Sequence, residues 1–155
     1  MPSRTSCSAV VLLFVACLRI SAMAQDYSGT EGPPITFSTA LSADEQSAPT
    51  ESSGSGIADF VLDRPTLRLD WTITYDNLMA EVVAAHAHGP QTPGGNAGVL
   101  FDLAASGMGS PLQGSRVLND GELEYLLTGR IYVNIHTTKY PAGELRGQIM
   151  RQRPK

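Results

Sequence analysis

Residues 66–75, TLRLDWTITY, set Leu67, Leu69, Trp71, Ile73 and Tyr75 on one side and Arg68, Asp70, Thr72 and Thr74 on the other. A period of two is that of a strand with one buried and one wet face, as in an antiparallel sheet. Shorter stretches of the same kind run over residues 35–41, 57–63, 80–88, 97–103, 130–137 and 144–150. Turn-formers separate them: Arg64-Pro65, the run GPQTPGGNAG at 89–98, a Gly-rich connection to about residue 114, and YPAG at 140–143. In the last, Pro141 and Gly143 hold the second and fourth positions of a type I turn. Only residues 119–129, NDGELEYLLTG, break the rhythm. There Asn119 or Asp120 caps a helical turn carrying Leu123, Leu126 and Leu127, and Gly129 stops it. Glu122 and Glu124, two apart, do not share a helical face and read as solvated charges. The pattern predicts an all-β, antiparallel Greek-key or immunoglobulin-like β-sandwich with one short helix near 119–128.

The N-terminus reads differently. Arg4 precedes an apolar run, Ala9 to Leu18, too short to span a bilayer comfortably, and Ala22 and Ala24 then make a small-x-small cleavage pattern. Residues 1–24 are therefore expected to be a signal peptide cleaved after Ala24, which places the product in a secreted or periplasmic space. Lipid anchoring at Cys17 ranks second, because Phe14 fits a lipobox poorly. Cleavage removes both cysteines, Cys7 and Cys17, and leaves nine basic against fifteen acidic residues. An acidic chain without a basic footprint speaks against nucleic acid as partner. No other segment is apolar and long enough to be a transmembrane span. The 131 remaining residues divide into a flexible leader, 25–34, and one domain, 35–155, with a polar, mobile loop at 42–56.

Three histidines carry the candidate chemistry. His86 and His88 form an H-x-H pair, so on a strand both imidazoles leave the same face, about 6–7 Å apart. His136 shares its strand face with Tyr132 and Asn134, opposite Ile131, Val133 and Ile135. If the strands pair, His86, His88 and His136 converge as ligands for copper or zinc, the metals that imidazole suits. Asp102 and Glu144 are candidates for a fourth position. Against this stands the ordinary role of histidine as a donor to a backbone carbonyl. A second polar set, Asn134, Glu144, Arg146 and Gln148, reads either as a binding patch or as structure. In the structural version Arg146 pairs with Glu144 or Asp102, Gln148 satisfies loop carbonyls, and Gly147 admits another backbone. No nucleophile elbow, phosphate loop or dinucleotide fingerprint is present.

The motifs HAHGPQTPGGNAGVLFDL and LLTGRIYVNIHTTKYPAGELRGQI closely resemble the chordin-type (CHRD) domain: an H-x-H-G-P start, a Y-V-N-x-H-T strand and a P-x-G-E-x-R-G-Q ending. Ala87 stands where that family commonly has a larger β-branched residue, and the polar loop 42–56 looks like an extension. The resemblance implies an exported β-sandwich without a general catalytic assignment. The H-x-H strand is also similar to that of Cu/Zn superoxide dismutases, whose bridging histidine and zinc loop have no counterpart here. The leading expectation is a non-catalytic module for an unknown extracellular or envelope protein or ligand. The alternative is a three-histidine copper or zinc protein, with a structural role through exposed edge strands as a third reading.

Overall fold

The computed structural model describes residues 31–153, so the expected signal peptide and most of the leader lie outside the described residues. Nine strands and one helix follow in chain order: β1 Ile35–Ser42, β2 Ser55–Asp63, β3 Arg68–Asp76, β4 Val82–His88, β5 Val99–Asp102, β6 Leu112–Val117, α1 Asp120–Leu127, β7 Tyr132–Thr137, β8 Leu145–Gln148 and β9 Met150–Arg151. All pairings are antiparallel. Hydrogen bonding joins them into one sheet, ordered β5-β4-β7-β8-β1-β2-β3-β6 with β9 beside β1. The sheet curls strongly into a half-barrel. Its two four-strand halves meet where β1 pairs with β8 at Ser42–Arg146 and with β9 at Phe37–Arg151.

Alternation along the strands fills the inside of the curl. Leu69, Trp71 and Ile73 of β3 are buried, as are Phe37, Leu41, Phe60 and Leu62 of the same half and Ala85, Ala87, Val133, Ile135 and Leu145 of the other. Burying a side chain of Leu, Ile or Phe size contributes about 1.5–3 kcal/mol. At the junction of the halves Gly147 is required by close approach, since a Cβ there would strike the Ala40 carbonyl oxygen.

Strand β6 lies where a loop connection is expected. Of its inward positions only Leu112 is apolar. Gly114 lies beneath Trp71, whose ring a Cβ would meet at 2.5 Å, and Arg116 covers the Phe101 ring at 5.0 Å. The glycine that accommodates the indole also erases the hydrophobic signal. Helix α1 is capped by Asn119, whose side chain accepts from the Glu122 amide while the Glu122 carboxylate accepts from the Asn119 amide. Glu122 is thus no solvated charge: it is buried and paired with Arg116 at 2.7 Å, whereas Glu124 is exposed. Gly129, at φ +67°, ends the helix in the left-handed conformation.

Candidate metal centre

The half-sheet β4-β7-β8 has a second face, turned away from the apolar core. In β4, Ala85 and Ala87 are packed inward, so His86 and His88 point outward. Register places Asn134 of β7 opposite His86, and Tyr132 opposite His88. In β8, Arg146 stands opposite Asn134 and Gln148 opposite Tyr132. His136 faces Ala84, a side chain small enough to leave space beside it. The two constellations that look separate in the sequence therefore form one polar layer.

Within that layer the three imidazoles converge. One ring nitrogen from each of His86, His88 and His136 lies within 4.8 Å of the others. His86 Nδ1 is 3.3 Å from His136 Nε2. Two nitrogens bound tetrahedrally to one ion at 2.0–2.1 Å stand about 3.3–3.4 Å apart, so this edge already has the separation a metal needs. Backbone carbonyls set the tautomers. His88 Nδ1 donates to Ala97 O at 3.0 Å and His136 Nδ1 donates to Pro141 O at 2.9 Å, which leaves both Nε2 lone pairs free. His136 Nε2 then accepts from His86 Nδ1, while His88 Nε2 is buried without a partner. A proton on His86 occupies the position that a cation would take.

Burial favours the neutral form of two of these imidazoles, His88 and His136. Burial lowers the His88 pKa below the usual histidine value of 6.5, with the positive ends of His86 and Arg146 adding to it against the Ala97 hydrogen bond. Burial likewise lowers that of His136, helped by His86 and His88 and opposed by the Pro141 hydrogen bond. Neutral imidazole is the form that binds metal.

The remaining polar residues hold the layer together. Arg146, 1% exposed, donates to Gly95 O at 2.5 Å and Asn96 Oδ1 at 3.1 Å. Its guanidinium lies 3.7 Å over the Tyr132 ring, and Tyr132 stacks on His88 at 5.0 Å and 7°. Neither Glu144 nor Asp102 pairs with Arg146. Gln148 donates to Gln91 O and Gly129 O. Asn134 accepts from Gln46 and donates to Ala142 O. Residues 43–54 are likewise tied across this face, through Gln46 and through Ser47 to Asn96.

The two carboxylates are engaged elsewhere. Glu144, fully buried, accepts from Ser52 Oγ, the Met79 amide and Thr137 Oγ1. Burial pushes its pKa up, but those three hydrogen bonds outweigh it and hold the value below 4.5. Asp102 is the cross-strand partner of His86, yet it is exposed and accepts from the Ala104 amide. Two surface clefts, one around Trp71 and Phe101 and one around Tyr75 and Leu78, include none of the histidines.

Sequence reasoning places Tyr132 on the face of His136 without a role, and passes over Asn96 and the carbonyls of Ala97 and Pro141. The carbonyls leave no trace in side-chain type.

The architecture is that of a small all-β module bearing a histidine-rich polar layer outside its core. Its sequence between residues 37 and 149 matches the CHRD domain, and the chain belongs to that family. No curated protein and no solved structure matches it. CHRD domains occur in extracellular or secreted proteins, and the family points to a module without enzymatic activity. Among the described residues no helix is long and apolar enough to cross a membrane.

Proposed function

We propose that this CHRD domain is an exported, non-catalytic module that binds one copper or zinc ion through His86, His88 and His136. The observation that carries the reading is the buried, unpartnered Nε2 of His88, facing two further imidazoles with its tautomer set by Ala97. A buried acceptor without a partner costs about 1–3 kcal/mol, and a bound cation removes that cost. The carbonyls behind His88 and His136 are the outer-shell contacts that metal-binding histidines ordinarily have.

Arg146 and Gln148 act as struts in this reading, because their donors are committed to the 91–96 loop and Gly129. An extracellular or envelope partner would then meet the loops over the polar layer rather than these two side chains. Export rests on the signal-like residues 1–24, with cleavage after Ala24. The crossings from β3 to β4 and from β5 to β6, between the two halves, favour a Greek-key sandwich as the parent of the half-barrel. The test is uptake of copper or zinc by purified, chelator-treated protein, read by calorimetry and elemental analysis. One ion per chain is expected, and no binding at micromolar metal overturns the proposal.

A further inference from the structure

Arg146 creates an electrostatic problem for any cation at the three histidines. It is 1% exposed, and among the described residues no carboxylate pairs with it. Its charge reaches His88 through a single aromatic ring: guanidinium on Tyr132 at 3.7 Å, Tyr132 on His88 at 5.0 Å. Asp102, the cross-strand partner of His86, is exposed and turned to the Ala104 amide, so water and salt screen it, and the buried Glu144 is committed to Ser52, Met79 and Thr137. Every unit of charge placed at the histidines thus meets repulsion from Arg146, and a dication meets twice that of a monocation.

The ligand set agrees. It consists of three uncharged imidazoles with no carboxylate among them. Zinc and cupric ions gain from an anionic ligand that compensates their second charge, whereas a cuprous ion needs no such compensation. We infer that the centre takes the monovalent copper ion, Cu(I), in preference to divalent ions, and that Arg146, stacked behind Tyr132, is the specificity-determining group. This rests on the three-histidine metal reading. One extra unit charge at about 9 Å, at an effective dielectric near 20, shifts the preference roughly twentyfold.

The experiment compares Cu(I) and Zn(II) affinities of the purified protein. Cu(I) is measured anaerobically against bicinchoninate, and Zn(II) against a chromophoric chelator. The wild-type protein is expected to hold Cu(I) the more tightly. Arg146→Gln should lower the Cu(I)/Zn(II) ratio about twentyfold, and Arg146→Lys, which keeps the charge, should preserve it. Circular dichroism establishes that each variant is folded. Zn(II) held as tightly as Cu(I) by the wild type overturns the inference, whatever the variants do. So does an unchanged ratio in folded Arg146→Gln. Binding of neither ion defeats the metal centre itself, and the inference with it.

Discussion

His86 Nδ1 and His136 Nε2 stand 3.3 Å apart although 50 residues separate them in the chain. Their contact is diagonal: register sets His86 opposite Asn134, and His136 reaches it from two residues further along β7. The geometry follows from strand pairing alone, without a loop to bend either residue into place. A site made in this way exists before any ligand arrives.

Removing one imidazole should therefore abolish binding without dismantling the domain. In the wild type, copper or zinc at about 100 times Kd is expected to add about 2.7 kcal/mol of stability. His88→Ala and His136→Ala should each erase that increment. Calorimetric melting with and without metal reads it directly, and a persistent metal-dependent shift in His88→Ala would contradict the assignment.

Acid should act on the same residues with a definite sign. His88 and His136 have folded pKa values below 6.5, so the unfolded chain takes up protons first as the pH falls. Their contribution to stability is complete above 6.5 and is lost as the pH falls toward the depressed values. Protonation of His88 and His136 should oppose metal uptake only below about pH 6.5. Denaturant titrations of the apoprotein at several pH values, beside metal titrations over the same range, check both limbs. Apoprotein stability that does not fall as the pH drops below 6.5 would show that His88 and His136 are not held neutral.

Arg146→Ala should melt the protein rather than only weaken a partner. It leaves Gly95 O without its donor, leaves Asn96 Oδ1 with Ser47 alone, and removes the plate behind Tyr132, a loss of about 2–4 kcal/mol. Gln148→Ala, which frees two carbonyls, should cost about 1–3 kcal/mol. Urea unfolding measures both. Stability unchanged from wild type would return these residues to the role of a binding patch.

Glu144 offers an independent acid-sensitive contact, separate from the three histidines. Its folded pKa is below 4.5, so its stabilising effect is present above that value and lost as the pH falls further. Glu144→Ala strands the Ser52 and Thr137 hydroxyls and the Met79 amide, and should destabilise by about 3 kcal/mol at neutral pH. The difference from wild type should shrink below pH 4.5. A constant difference down to pH 3 would mean that the carboxylate is not the stabilising form.

Much of the architecture is legible in residue pattern, and the exceptions have physical causes. β3 announces itself because Leu69, Trp71 and Ile73 alternate with exposed or half-exposed polar residues. β6 is silent because Gly114 and Arg116 take inward positions that are normally aliphatic. The convergence of the histidines is suggested by H-x-H spacing and by the shared face of Tyr132, Asn134 and His136, but only register brings the two strands together. A structural role for Arg146 is readable, but its partners are not, since Gly95 and Asn96 reach it by folding the 89–98 loop back over the sheet.

The alternation of alanine and histidine along β4 has a consequence for assembly. Ala85 and Ala87 face Ile135 and Val133 within the core, and His86 and His88 face Asn134 and Tyr132 outside it. A slip of one residue against β7 would drive two imidazoles into the aliphatic interior and strand two methyl groups among polar partners. The strand thus has one tolerable alignment. The histidines police the pairing of the chain that presents them, and replacing them would also remove part of that protection against misregistered folding.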